Sequence, residues 1–83
     1  MAELRFTRRS LRDIRKLPRD VQRRIEIALD ALIEDPRAGD QLHGDWEGYR
    51  KLRTGDYRII YMIADTDTVV IQYIRHRRDA YRR

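Results

Sequence analysis

The residues that could do chemistry lie in two stretches, positions 49–63 and positions 75–83. Together they carry nine Lys/Arg and two Asp, a net charge of +7, whereas the other residues carry ten Lys/Arg and twelve Asp/Glu, a net charge of −2. Charge concentrated in this way predicts a polyanion or an acidic protein as the binding partner. The sequence contains no glycine-rich phosphate loop, no cysteine and no metal-ligand spacing, so we predict no cofactor and no metal site.

Arginine and lysine are used very unequally, with seventeen arginines and only two lysines, Lys16 and Lys51. Arginine stays protonated in proteins, so it can bind a phosphate but is a poor general base. Lysine can release its proton when other cations and partial burial surround it. Lys51 is therefore the candidate base, with Arg53 and Arg58 as candidate phosphate-binding groups. Composition alone leaves a structural role for Lys51 open.

The Gly55-Asp56 pair predicts a two-residue hairpin turn, which fixes the strand register around it. In this register Arg53 pairs with Arg58, and Lys51 pairs with Ile60. One face of the hairpin then carries Lys51, Arg53, Arg58, Ile60 and Met62. The opposite face is predicted to be buried and carries Leu52, Tyr57, Ile59, Tyr61 and Ile63. Two arginines directly opposite each other would destabilise a purely structural sheet, so the pair favours a bound anion.

Hydrophobic periodicity predicts the elements that position this hairpin. Residues 3–7 alternate like a strand, and a 3.6-residue period predicts two helices, the first with an apolar stripe of Leu11, Ile14 and Leu17. The second helix begins at Arg19 and ends at Asp35-Pro36. A loop over residues 36–48, anchored by Leu42 and Trp46, precedes three predicted strands at Tyr49–Arg53, Tyr57–Ile63 and Thr68–Ile74.

These elements predict an α+β fold in a single domain over residues 1–83. An N-terminal strand and a helical hairpin are followed by a three-stranded antiparallel meander, and the strands form one sheet packed on the helices. No apolar run approaches the ~20 residues needed to span a bilayer. We therefore predict a cytoplasmic protein with no membrane contact.

The order of the elements and the segments KLRTGDYRIIY and HRRDAY resemble the RelE toxins of the RelE/ParE superfamily. The resemblance extends over nearly the whole chain and includes DPRAGDQLHG before the hairpin. It implies a type II toxin that cuts mRNA in the ribosomal A site without a metal, by attack of the 2′-hydroxyl on the adjacent phosphate. It also implies a cognate antitoxin as partner, and operator DNA binding only by the toxin–antitoxin complex.

The resemblance carries catalytic roles over to Lys51, Arg53, Arg58, Arg77 and Tyr81. Lys51 would activate the 2′-hydroxyl, and Arg53 and Arg58 would stabilise the charge on the scissile phosphate. Arg77 would support the leaving oxygen, with His76 a second candidate acid. Tyr81 would stack on or orient the nucleotide. Further RNA contacts are predicted at Arg50, Arg75, His76 and Arg78.

Two other functions remain open at this point. A ParE-like toxin has the same fold and inhibits DNA gyrase without cutting RNA. A basic module could also bind RNA or an acidic partner without chemistry, with binding that weakens steadily as salt increases. The chain departs from the RelE pattern at Tyr49, where some relatives carry a second lysine, and at Arg75, where relatives usually carry glycine.

Overall fold

Two helices and five strands make up residues 1–79, the part of the chain that the computed structural model describes. The helices are α1 (Arg8–Arg15) and α2 (Arg19–Glu34), and the strands are β1 (Glu3–Phe6), β2 (Asp40–Gln41), β3 (Arg50–Thr54), β4 (Tyr57–Asp65) and β5 (Thr68–His76). Short 3₁₀ turns lie at Gly44–Trp46 and Arg77–Asp79. No helix in this range is long and apolar enough to cross a membrane.

The strands form one sheet in the order β1-β5-β4-β3-β2, in which β1 runs parallel to β5 and the other pairs are antiparallel. The α+β class, the helical hairpin and the β3–β4–β5 meander are confirmed. The sheet has one more strand than predicted, because β2 pairs with β3 inside the predicted loop. A two-residue strand has too few residues to show an alternating pattern.

The helix α2 covers one face of the sheet and forms the core with it. Its buried residues repeat at helical spacing and are Ile25, Ala28, Leu29 and Leu32. They pack against Ile59, Tyr61, Val69, Ile71 and Ile74 of the central strands. Leu52, Tyr57 and Ile63 are partly buried against the same cluster. The predicted apolar face of the hairpin is therefore confirmed.

The helix α1 differs from its predicted orientation. Leu11 is 40 % exposed, so its place on a buried stripe was wrong, whereas Ile14 and Leu17 do pack against the core. The Asp13 carboxylate accepts a hydrogen bond from the Ile74 backbone N–H at 3.0 Å. It does so where β5 continues beyond the last β1 pair, Phe6 with Ile71. The helix thus satisfies backbone donors that a neighbouring strand would otherwise bind.

A buried tyrosine fixes the loop before β2 to the sheet. The Tyr61 hydroxyl accepts a hydrogen bond from the Gly39 N–H at 3.0 Å and donates one to the Pro36 carbonyl at 2.7 Å. Gly39 lies so close to β3 that a Cβ there would be 2.5 Å from the Lys51 carbonyl oxygen. Only glycine fits this approach, so the loop and the Lys51 backbone are held together.

Alkaline pH is expected to destabilise the protein through Tyr61. Burial raises the pKa of Tyr61 above 10.0, and the Gly39 N–H opposes this rise without cancelling it. Because the folded-state pKa is the higher one, the contribution to stability is complete below about pH 10 and is lost as pH rises through the folded-state pKa. Urea unfolding at a series of pH values should show a steeper alkaline loss for the parent than for Tyr61→Phe.

The same variant supplies a control at neutral pH. Tyr61→Phe leaves the Gly39 N–H and the Pro36 carbonyl without their partner, so it should lower the free energy of unfolding by about 1–3 kcal/mol. Parallel stability curves for the two proteins between about pH 8 and about pH 11 would show that Tyr61 ionisation does not limit stability.

Candidate functional site

Three arginines lie side by side on the face of the sheet opposite α2. The strands β3 and β4 pair Arg53 with Arg58, and β4 and β5 pair Arg58 with Arg75. Directly paired residues project from the same face, with Cα atoms about 4.5–5.5 Å apart. The predicted pairing of Arg53 with Arg58 is confirmed, and Arg75 extends it to a third strand. We refer to Arg53, Arg58 and Arg75 as the arginine row.

The arginine row is a poor arrangement for sheet stability. Like charges at directly paired positions repel each other. Arg53 is exposed, while Arg58 and Arg75 are half-buried and therefore less well screened by water. The Arg75 Nε is buried and has no hydrogen-bond partner among the described residues. A buried donor without a partner costs free energy, so the row is better suited to binding an anion than to holding the sheet together.

Lys51 lies on the same face, one step along β3 from the arginine row. It is half-buried and pairs with Ile60, as the hairpin register predicted. Two residues of strand separate it from Arg53, a distance of about 7 Å. On its other side β2 pairs Asp40 with Lys51, which places a carboxylate residue at the same level of the sheet. The three hairpin residues with predicted catalytic roles therefore share one face.

The turn after β5 brings Arg77 to the end of the row. The Arg77 backbone N–H donates a hydrogen bond to the Asp56 carbonyl at 2.7 Å, which ties this segment to the hairpin turn. Gly55 has a φ of 59°, as the first position of such a turn requires. Arg77 then lines a concavity of about 80 Å³ together with Arg53 and Arg58. Three arginines therefore line one small opening.

Arg50 is separated from this group by the alternation of the strand. It pairs with the buried Tyr61, on the face that α2 covers. Its Nη1 donates a hydrogen bond to the Gly39 carbonyl at 2.8 Å. The structure therefore gives Arg50 a role in holding the loop before β2, at a distance from the arginine row.

Two of the predicted tail residues, His76 and Arg78, lie away from the arginine row. His76 pairs with Tyr57 on the helix-covered face, and the two rings meet edge to face with centroids 5.3 Å apart. Arg78 is exposed, and its backbone N–H donates to His76 Nδ1 at 3.3 Å. Neither side chain lies in the arginine row. Tyr81 lies outside the described residues, and its stacking role stays a prediction.

An aromatic cluster on the same face as Lys51 has no counterpart among the predicted site residues. Trp46 contacts Tyr49 and Tyr73, with ring centroids 5.7 and 6.0 Å away. The Arg9 guanidinium lies 4.2 Å from the centre of the Tyr73 ring. Trp46 thus anchors the loop, as predicted, but it does so on the basic face. The contacts join residues far apart in sequence, so no local pattern predicts them.

Sequence similarity to known proteins extends over nearly the whole chain. It matches the family model described as ParE toxin of type II toxin–antitoxin system, parDE, over residues 4–81. It is 41 % identical over 83 residues to Toxin RelG of Mycobacterium tuberculosis (strain ATCC 25618 / H37Rv), covering 96 % of this chain and 95 % of the relative. It is 35 % identical over 69 residues to the mRNA interferase toxin RelE of Escherichia coli (strain K12), covering 81 % and 73 %.

A solved structure shows the same similarity in three dimensions. The toxin–antitoxin complex RelBE2 from Mycobacterium tuberculosis contains a chain that superposes with a TM-score of 0.82 at 36 % identity, covering 90 % of this chain and 96 % of that one. The fold and the matched sequence define a toxin of type II toxin–antitoxin systems. The chain belongs to the RelE family of the RelE/ParE superfamily, as the segments KLRTGDYRIIY and HRRDAY indicated.

Proposed function

We propose that this toxin is an endoribonuclease that cuts mRNA in the ribosomal A site and thereby stops translation. The observation that carries the proposal is the arginine row with Lys51 on the same face of the sheet. Fixed cations of this kind stabilise the charge that develops on a phosphate during phosphoryl transfer. The similar toxin from Escherichia coli is named an mRNA interferase, which supports the same activity here.

In the proposed reaction Lys51 accepts the proton of the 2′-hydroxyl, and the 2′ oxygen attacks the adjacent phosphorus. A bond forms between phosphorus and the 2′ oxygen, and the bond to the 5′ oxygen breaks. The products are a 2′,3′-cyclic phosphate and a 5′-hydroxyl. Arg53 and Arg58 stabilise the additional negative charge of the transition state. These side chains supply the charge that the step needs, so the proposed mechanism uses no metal and no cofactor.

The leaving 5′ oxygen must gain a proton, and Arg77 is the residue proposed to assist it. Its position beside Arg53 and Arg58 allows it to hold a water next to the leaving oxygen. Arginine itself is too weak an acid to donate readily, so the water supplies the proton. The ring of His76 packs against Tyr57 on the other face, which makes Arg77 the better candidate. Tyr81 keeps its proposed role in orienting the nucleotide.

We also propose a cognate antitoxin that covers the basic face. The similar RelBE2 structure is a complex of a toxin with its antitoxin. An antitoxin segment with acidic side chains would pair with the arginine row and exclude RNA from Lys51. Operator DNA is proposed to bind only to the toxin–antitoxin complex.

Mapping mRNA ends on translating ribosomes tests the proposed function. We expect cuts at codon positions that carry 5′-hydroxyl and 2′,3′-cyclic phosphate ends. A message with a single 2′-deoxy nucleotide at the cleaved position lacks the attacking hydroxyl, so it should resist cleavage there and still be cut elsewhere. Cleavage of the deoxy position, or ends that carry a 5′-phosphate, would contradict the proposed 2′-hydroxyl mechanism.

A second candidate is inhibition of DNA gyrase, because the matched family model describes ParE. This function predicts that mRNA on translating ribosomes stays intact. It also predicts that the toxin blocks supercoiling by purified gyrase. The two activities can be measured on the same preparation. Cut mRNA with normal supercoiling would support the nuclease, and a basic module without chemistry would affect neither.

A further inference from the structure

An open cleft of about 560 Å³ lies next to the arginine row, between the start of α1 and the 3₁₀ turn Gly44–Trp46. We refer to it as the aromatic cleft, and its main lining residues are Arg9, Asp45, Trp46, Tyr49, Gln72 and Tyr73. None of them takes part in the proposed bond-breaking step. The cleft therefore needs its own explanation.

The rings of the cleft are arranged at an angle to one another. The Trp46 plane is inclined by 56° to Tyr49 and by 59° to Tyr73. Rings tilted in this way meet by edges and do not cover each other's flat faces in a parallel stack. Trp46 is also only half-buried. Because Trp46 lines the cleft and is only half-buried, part of its aromatic surface borders the cleft.

A β-bulge adds a polar side chain to the same cleft. The strand register pairs Ile60 with Tyr73 and Tyr61 with Ile71, so Gln72 has no partner on β4. A regular strand would direct Gln72 and Tyr73 to opposite faces, whereas both line this cleft. Bulges often redirect a side chain next to a functional site. The amide of Gln72 can both donate and accept hydrogen bonds there.

The Tyr73 ring lies near one arginine of the row and one arginine of the cleft. The Arg75 guanidinium lies 6.0 Å from the centre of the Tyr73 ring, and the Arg9 guanidinium lies 4.2 Å from it. Arg75 belongs to the row, so the phosphate-binding surface and the aromatic cleft share this ring as a border. Along β5 the two sites are only two residues apart, or about 7 Å.

We propose that the aromatic cleft binds a nucleobase of the RNA substrate, from a nucleotide next to the phosphate held by the arginine row. Trp46 stacks on the base, and Gln72 and Asp45 bind its polar edge. This inference rests on the proposed function, since it takes RNA as the ligand of the row. Stacking on aromatic side chains beside a cationic track is how single-stranded RNA is commonly bound.

The charges favour a base over an apolar protein side chain as the occupant. Arg9 lines the cleft and Arg75 lies 6.0 Å from the Tyr73 ring, and both can pair with phosphates that flank a bound base. The polar edge formed by Asp45 and Gln72 matches the donors and acceptors of a base, which an apolar side chain lacks. Because a carboxylate only accepts hydrogen bonds, Asp45 favours a base edge that presents N–H groups.

Intrinsic fluorescence gives a direct test, because Trp46 is the only tryptophan of the chain. The probe is a 2′-O-methyl trinucleotide, which lacks the attacking hydroxyl and cannot be cut. We expect saturable quenching of Trp46 by this probe. An abasic trinucleotide of the same charge should bind more weakly and leave the fluorescence unchanged. Equal quenching by both would overturn the proposal, since charge alone would then explain binding.

Variants measured by fluorescence anisotropy of a labelled trinucleotide provide the second readout. Trp46→Ala should weaken binding by about 5- to 150-fold, the range for loss of one stacked base, and Trp46→Phe should retain most of it. Ile27→Ala is the matched control, because Ile27 is a 70 % exposed apolar residue on α2. Circular dichroism checks that each variant is folded, and Trp46→Phe keeps the test informative if Trp46→Ala is not.

Two further outcomes separate this proposal from the proposed function. If Trp46→Ala binds RNA like the parent but loses affinity for the antitoxin, the cleft holds a protein side chain and the proposal is wrong. If the parent cuts mRNA while the trinucleotide shows no base-dependent quenching, the subsite alone is wrong. Base-dependent quenching by a protein that cuts no mRNA would support the subsite and contradict only the nuclease function.

Discussion

Arg58→Ala is expected to lower the rate of ribosome-dependent mRNA cleavage by about 10²–10³-fold, which corresponds to about 2.7–4 kcal/mol of activation free energy. Arg58 is the middle member of the arginine row, and it also borders the small concavity with Arg53 and Arg77. Its removal therefore takes a cation from the centre of the proposed phosphate site. Cells that express this variant without antitoxin should keep growing.

Two further substitutions test whether the loss of cleavage is specific to the position and the geometry of Arg58. Arg23→Ala removes an exposed arginine of α2, on the other side of the molecule, and should leave cleavage near the parent rate. Arg58→Lys keeps the charge but loses the two-pronged geometry of the guanidinium, so it should be intermediate. An Arg58→Ala variant as toxic as the parent would remove the arginine row from the proposed site.

Lys51→Ala should lower the rate of mRNA cleavage by as much as Arg58→Ala or more. A positioned general base contributes about 10²–10⁴-fold to rate, and Lys51 is the only lysine on the basic face. The variant should bind the uncleavable trinucleotide nearly as well as the parent, because the arginine row is intact. Single-turnover cleavage on ribosomes measures the loss, and the binding assay shows that it arises in the chemical step.

Replacing Lys51 by arginine distinguishes a general base from a residue that acts only through its charge. Lys51→Arg retains a positive charge but cannot serve as a base, so the proposed mechanism predicts a loss close to that of Lys51→Ala. Near-parent activity of Lys51→Arg would show that Lys51 acts only through its charge. Lys16→Ala is the matched control, because Lys16 is the other lysine and lies exposed after α1.

The sequence by itself determined the hairpin and its two faces. Gly55-Asp56 fixes a two-residue turn, and side chains alternate with a period of two, so the pairings of Arg53 with Arg58 and of Lys51 with Ile60 follow at once. The second helix was equally predictable, because its apolar positions repeat every turn and proline follows its end. These features depend on neighbouring residues, which a local pattern records.

Other parts of the site were decided only by tertiary structure. Arg75 joins the arginine row because of the β4–β5 register, which shifts by one residue between Ile63 and Asp65 and shifts back at Gln72. No local sequence pattern marks either of these two shifts. Alternation likewise sends Arg50 and His76 to the face opposite Lys51, although both lie within the basic segments.

The N-terminal helix α1 shows most clearly what a local sequence pattern cannot predict. A helical pattern placed Asp13 on its polar side, but β5 is longer than β1 and needs a partner for the Ile74 N–H. Asp13 meets that need, which also brings Arg9 over the Tyr73 ring and closes one side of the aromatic cleft. Charge and periodicity determined that this protein has a basic hairpin face. Strand lengths, the two register shifts of β5 and long-range packing decided which cations and rings share it, because those contacts join residues far apart in the chain.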